Sequence, residues 1–309
     1  MIITVTMNPA IDKTAEIENL QVRALNRLEN IEKDIGGKGI NVSKSISALG
    51  GRTIACGFLA GEIGQEINKS LSNYNVESDF VFVAGETRTN LKLVEKGGYL
   101  TEFNEVGPII TSMDIEKLSE KLESYASPNS LFIFAGSVNP GLESDIYKKL
   151  ILRVKSKGAK AFLDADGTIF AEAIEAFPDI IKPNVYELSQ YFGKDEEMDE
   201  RKIIDMGKQL IRKGIKTVCI SRGRQGALFL QDDKVFKSPG LEIEARSSVG
   251  AGDALVAAFS YGIEQGKDLE ECIRLGMATS AGAAMTMGTK PPSGDVIERL
   301  MKKVVLYYL

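Results

Sequence analysis

The chain has 309 residues, 43% hydrophobic and 26% charged, the usage of a folded protein with a sizeable core rather than a disordered one. Its formal net charge of -5, with no long basic run, excludes the electrostatic footprint of a nucleic-acid binder. It contains no histidine, which removes Ser-His-Asp and Cys-His catalysis, His-ligated zinc and imidazole acid–base chemistry, and leaves mainly carboxylates and lysines to move protons.

Met1 to Thr6 reads as a first strand, and Asp12 follows too soon for the apolar core of a signal peptide. No later stretch approaches the ~18 apolar residues of a membrane span, so a cytoplasmic protein without membrane association is expected. A helix at about 40–49 carries Val42, Ile46 and Leu49 on one face. The stretches around it, 14–35 and 79–104, have strand character. Within the second, Phe80 to Val83, Thr89 to Val94 and Leu100 to Phe103 mix apolar and polar positions as half-exposed antiparallel strands do, and predict a small β lid.

From Asp114 onward helix and strand alternate. Ile115, Leu118, Leu122 and Tyr125 have helical spacing, and the apolar run Leu131 to Ala135 is a buried strand. A helix with Ile146, Leu150, Ile151 and Val154 follows, then a strand leading to Asp164, another helix, and the short strand Ile180 to Lys182. A helix with Ile203, Leu210 and Ile211 precedes the strand Thr217 to Ser221, and two Ala/Gly-rich helices at about 252–265 and 269–287 close the chain. Such alternation predicts an α/β fold with a mostly parallel sheet covered by helices. No repeat or linker interrupts it, so 1–309 is read as one domain with β insertions at about 12–36 and 79–107. Cys56, Cys219 and Cys272 lie too far apart to indicate a disulfide framework or a CxxC metal site.

Three short segments carry chemistry. Ser247 to Asp253 places Gly250, Ala251 and Gly252 at a turn that opens a helix, whose free N–H groups and positive dipole end suit a phosphoryl group. Asp253, in the first turn, is either a catalytic base or an ordinary helix cap. Gly36 to Asn41 brings backbone close to a ligand, with Lys38 as a point charge and Asn41 as a partner for a hydroxyl; a tight turn with an exposed lysine is the bland alternative. Asn184 and Glu187 share a helical face and suit hydrated Mg²⁺, or else form a capping box. Asp12, Arg27, Arg88 and the turns Gly136-Ser137 and Gly223 to Gly226 sit after or between strands, where α/β proteins place ligands.

In this order and together, these residues resemble the ribokinase-like carbohydrate kinases of the PfkB family over essentially the whole chain. The resemblance implies a three-layer fold, a central sheet with helices on both faces, a lid that contributes to dimerisation, ATP near Gly250 to Asp253, and sugar beneath the lid. It implies Asp253 as the base and the amides of 250–252 as an anion hole. Asp12, Gly37, Asn41 and Ser137 would contact sugar, and Asn184 and Glu187 would organise Mg²⁺ largely through water. Ser221, Gly223 and Gly226 would bind nucleotide, with Lys182 facing the triphosphate.

The segments Thr6 to Thr14, Asn26-Arg27 and Thr87 to Asn90 resemble the branch of the family that acts on phosphorylated ketohexoses. Arg27, Arg88 and Lys38 would then hold the phosphate already on the substrate. The expected reaction converts fructose 1-phosphate to the 1,6-bisphosphate, with tagatose 6-phosphate as the alternative substrate. A kinase of an unphosphorylated sugar or nucleoside, or a catalytically silent sugar-phosphate sensor, is the remaining reading. Asn139, Asp166 and Arg222 depart from the residues usual in the family.

Overall fold

A computed structural model describes residues 1–97, 99–194 and 198–309. In chain order the first half comprises β1 (Ile2–Thr6), β2 (Ala10–Ile17), β3 (Glu29–Gly36), α1 (Lys38–Ala48), β4 (Thr53–Ala60), α2 (Gly61–Leu71), β5 (Glu77–Val83), β6 (Arg88–Glu95), β7 (Leu100–Asn104), α3 (Ser112–Tyr125), β8 (Leu131–Ala135) and α4 (Ile146–Ser156). The second comprises β9 (Lys160–Asp164), α5 (Gly167–Ile174), β10 (Ile180–Ile181), α6 (Val185–Tyr191), α7 (Glu200–Lys213), β11 (Thr217–Ser221), β12 (Ala227–Gln231), β13 (Lys234–Ser238), α8 (Ala251–Glu264), α9 (Leu269–Ala284), α10 (Gly294–Met301) and β14 (Tyr307–Tyr308).

The main sheet runs β14-β13-β12-β11-β10-β9-β8-β1-β4-β5. It is parallel from β11 to β5, and β12, β13 and β14 extend it antiparallel. β1 and β8 are buried along their whole length, as strands covered on both faces are; β8 is an unbroken apolar run, and β1 carries two buried threonines, of which Thr4 shares a hydrogen bond with Ser43. One face carries α3 to α7, packed through Leu118, Leu150, Phe170, Leu188 and Leu210. The other carries α1, α8, α9 and α10, packed through Val42, Phe259, Ile273 and Leu300. The result is the three-layer α/β architecture that the alternation of elements predicts.

A second sheet, β3-β2-β6-β7, forms the lid. Three features differ from the sequence expectation: α8 and α9 do not close the chain, since α10 and β14 follow them, and two more lie around the lid. Phe80 to Val83 is not a lid strand: β5 lies beside β4 in the main sheet, paired from Ile54↔Glu77 to Ala60↔Val83. The β4-α2-β5 crossover returns the chain to the same sheet, and the mixed pattern of β5 reflects its edge position. The lid portion of the 79–107 stretch therefore begins at Arg88. Inside the lid, β2 and β6 pair parallel, not antiparallel, in register Ala10↔Arg88. The carboxyl ends of β1, β8, β9, β10 and β11 release the loops from which the site is built.

Candidate active site

Helix α8 is preceded at its N-cap by Gly250, whose φ of 80° is the left-handed conformation that glycine adopts without strain. No side chain caps this helix, so its positive end stays open to an anion. Asp253 lies in the first turn yet does not cap; its Oδ2 accepts a 2.8 Å hydrogen bond from Asn41 Nδ2 on α1. The carboxyl is 8% exposed. Burial, then the neighbouring Asp164 charge, pushes its pKa up to about 6, against the Asn41 bond and the Lys38 and Lys182 ammoniums.

Asp164, at the end of β9, is buried between two ammoniums: Lys38 Nζ lies 3.2 Å and Lys182 Nζ 3.3 Å from its Oδ1. Burial works to raise its pKa, but the two cations outweigh that and hold it below the ordinary carboxylate value. The same contact raises the Lys38 pKa, Asp164 being the largest cause. A Cβ on Gly252 would lie 3.5 Å from Lys182 Nζ, so the ammonium stands beside the glycine turn. The Asp164 charge is felt at Asp253, so both carboxylates belong to one electrostatic unit. Two buried acceptors there, Asp164 Oδ2 and Asn41 Oδ1, have no partner among the described residues. Two orphans side by side in a charged cluster leave room for a donor or a hydrated cation.

Asn184 and Glu187 form a capping box on α6: Glu187 N donates to Asn184 Oδ1 at 2.8 Å, and Asn184 N donates to Glu187 Oε2 at 2.9 Å. Burial raises the Glu187 pKa, and Lys182, Asp164 and Lys38 are near enough to perturb it. Glu187 is thus both cap and neighbour of the charged cluster. Its capping oxygen leaves Oε1 for other partners. Asn184 also bridges to Ser221, where β11 ends. Next to it, a cavity of about 620 Å³ is lined by Asn184, Tyr186, Ser221, Arg222 and Gly223. Gly223 and Gly226 both have positive φ, at 57° and 90°. A Cβ on Gly226 would meet Ser238 O at 2.0 Å, so this glycine is required by packing against β13.

On the lid side, Gly37 has φ 112°, and a Cβ there would meet Thr6 at 2.7 Å. This close approach lets α1 start against the end of β1. Asp12 is 9% exposed; it accepts from Asn90 Nδ2 at 2.9 Å and pairs with Lys92 at 3.2 Å. Gly136, of φ 91°, packs on the Lys38 side chain, and Ser137 follows it, exposed. Arg88 donates to Asn8 O at 2.9 Å and 3.2 Å and to Glu105 O at 3.4 Å, with burial lowering its pKa. Arg27 lies exposed in the loop joining β2 to β3, and among the described residues no hydrogen bond or ion pair ties it to the cluster.

The residues that depart from the family pattern have local partners. Asn139 donates to Asn8 Oδ1 at 3.4 Å and Pro108 O at 3.3 Å. Arg222 pairs with Glu200 and donates to Gln225 at 3.0 Å. Asp166 precedes α5 without a capping bond. Sequence reasoning passed over Asp164, whose one visible signal is a carboxylate at the end of an apolar run. It also passed over Lys44, which lies on the side of α1 opposite Val42 and Ile46 yet is only 1% exposed.

The sequence matches the pfkB family carbohydrate kinase profile over residues 4–294. It is 34% identical to the 1-phosphofructokinase of Bacillus subtilis, covering 98% of each chain. It is 29% identical to the tagatose-6-phosphate kinase of Staphylococcus epidermidis, again covering 98% of each. The fold superposes on phosphofructokinase-2 from Escherichia coli in complex with substrates and products with a TM-score of 0.92, at 26% identity and 98% coverage of both chains.

Proposed function

The chain belongs to the pfkB family of carbohydrate kinases, and from that premise we propose that it moves the γ-phosphoryl group of ATP to a free hydroxyl of a ketohexose phosphate, with fructose 1-phosphate the first choice. That it is an ATP-dependent sugar-phosphate kinase, a phosphotransferase with an alcohol acceptor, follows from its relatives. The finer reading rests chiefly on Asp253: a buried, uncapping carboxylate of raised pKa, held by Asn41 beside a helix N-terminus and two ammoniums.

Asp253 takes the proton of the attacking hydroxyl. A pKa near 6 leaves it ionised at neutral pH and close enough to neutrality to serve as a base. The first-turn amides of 250–252 and the Lys182 ammonium face the transferred group, whose reaction needs positioning and charge stabilisation more than covalent help. Asn184 and Glu187 would hold Mg²⁺ largely through water, and the unpartnered Asp164 Oδ2 suits a hydrated cation of that kind. When bound, that ion neutralises phosphate charge. Ser221, Gly223 and Gly226 take the nucleotide. Asp12, Gly37, Asn41 and Ser137 face the sugar, and Lys38, Arg88 and Arg27 its existing phosphate.

Sequence similarity favours fructose 1-phosphate over tagatose 6-phosphate. An ADP-release screen decides: fructose 1-phosphate, tagatose 6-phosphate, fructose 6-phosphate and the free sugars are each offered with ATP. Fastest kcat/KM for fructose 1-phosphate is expected, and turnover of free sugars alone overturns the assignment of a phosphorylated substrate. The lid strands expose Ile31, Leu100 and Phe103, which suits pairing of two chains through the lid; sedimentation as a monomer refutes it. Three buried, unpaired cysteines suit a reducing cytoplasm, and no helix among the described residues is long and apolar enough to cross a membrane.

A further inference from the structure

Lys44 lies on α1, one turn beyond Asn41, and is 1% exposed. Its ammonium donates to Ile35 O at 2.8 Å and to Thr289 Oγ1 at 3.1 Å, and it stands 5.4 Å from the centre of the Tyr74 ring. Thr289, itself 7% exposed, backs the glycine turn: a Cβ on Gly250 would meet its Cα at 3.4 Å and its side chain at 3.5 Å and 3.6 Å. The loop that carries Thr289 also touches the lid strand β3. A Cβ on Gly288 would meet Asp34 Oδ2 at 2.8 Å, and Lys290 lies 3.5 Å from Glu32.

We propose that Lys44 is a positioning residue: it pins the Thr289 loop behind Gly250 and so fixes the first turn of α8 in the geometry that phosphoryl transfer requires. The idea rests on reading that turn as the anion hole. Helix α1 then supports the reaction from two successive turns, Asn41 holding the carboxylate of Asp253 and Lys44 holding the backing of its turn. Because the other Lys44 donor reaches Ile35 at the lid edge, the strut joins the sugar-covering sheet to the phosphate-facing helix.

A buried ammonium is a costly way to fill this space, since an apolar side chain of similar volume carries no desolvation penalty. Burial lowers the Lys44 pKa to about 8. Asp34 on β3, Asp12 on β2 and Asp253 on α8 favour the charged form, and Lys92 on β6 opposes it. The directed bonds explain why a cation is kept where packing alone would take methionine.

The test compares Lys44→Met, Thr289→Val, Thr289→Ser and Asp253→Asn with the parent enzyme, using ATP and the sugar phosphate turned over best in the screen. Lys44→Met is expected to melt at or above the parent temperature while kcat falls at least about tenfold, a rise of ~1.4 kcal/mol in the barrier, with the sugar-phosphate KM moving less than about twofold. Thr289→Val, which loses only the hydroxyl, lowers kcat as well, and Thr289→Ser, which keeps it, does not.

Parent turnover in a folded Lys44→Met, or equal turnover in the two Thr289 variants, overturns the proposal. If Lys44→Met does not fold, the Thr289 pair decides. An active Asp253→Asn would instead overturn the reading of the catalytic turn, so the two failures are distinct.

Discussion

The side-chain amide of Asn41 donates to Asp253 Oδ2 at 2.8 Å and so ties α1 to α8 across 212 positions of sequence. Replacing Asp253 by Asn keeps an oxygen to accept this bond and removes the capacity to take a proton. Turnover should fall by ~10²–10⁴, the usual worth of a positioned base, with substrate KM values little changed. In the parent enzyme kcat/KM should drop as pH falls through about 6, where Asp253 of the free enzyme protonates. Steady-state ADP release between pH 5 and 8 measures both, and a variant with parent turnover removes Asp253 from the chemistry.

The same carboxyl makes a prediction about stability. Its folded pKa, about 6, lies above the ordinary 3.8, so the native state holds the proton more tightly than the unfolded chain. Unfolding free energy should therefore rise as pH drops from about 6 toward about 4, and the ionised Asp253 should cost stability above pH 6. Asp253→Asn should accordingly be more stable than the parent at pH 7.5, by on the order of 1–3 kcal/mol, with the gap closing near pH 4. Urea unfolding at the two pH values checks it. A variant no more stable than the parent at pH 7.5 contradicts the burial of an ionised carboxylate.

Much of this site is local and could be read from the chain. The glycines before Asp253 and around Lys38 announce turns opening helices, and the alternation from Asp114 onward fixes a parallel sheet. What escaped is non-local. Phe80 to Val83 lies in the same strand-rich stretch as the lid strands, and only the crossover through α2 puts it beside β4. Asp164 acquires its meaning from Lys38 and Lys182, which lie 126 positions before it and on a different strand end after it. Lys44 lies off the apolar stripe of α1, where a lysine reads as solvated, and its spacing carries no sign of the Ile35 and Thr289 acceptors that hold it buried. Conversely, the cap and the metal readings of Asn184 and Glu187, alternatives on sequence grounds, are compatible in space, since capping uses Oε2 of Glu187.

Glu187→Gln separates those two readings. The amide oxygen still accepts from Asn184 N, so the α6 cap survives and the melting temperature should move little. The lost charge lies beside Lys182, Asp164 and Lys38. Half-maximal activity should then require roughly tenfold more Mg²⁺, the low end of the cost of altering a metal's supporting shell. Titrating ADP release with MgCl₂ at fixed ATP reports this. An unchanged Mg²⁺ requirement leaves Glu187 as a cap alone.

Arg88 tests whether the substrate carries a phosphate under the lid. Its guanidinium donates to the carbonyls of Asn8 and Glu105, which places it between the loop after β1 and the loop after β7. If it also clamps the substrate's phosphate, it binds ground state and transition state alike. Arg88→Ala should then raise the sugar-phosphate KM by at least about tenfold while kcat stays within about threefold, the pattern of lost uniform binding. Inorganic phosphate should compete less well against the sugar phosphate in the variant. A fall confined to kcat would mean that Arg88 braces the Asn8 loop rather than gripping substrate, and would leave the phosphate clamp to Lys38 and Arg27.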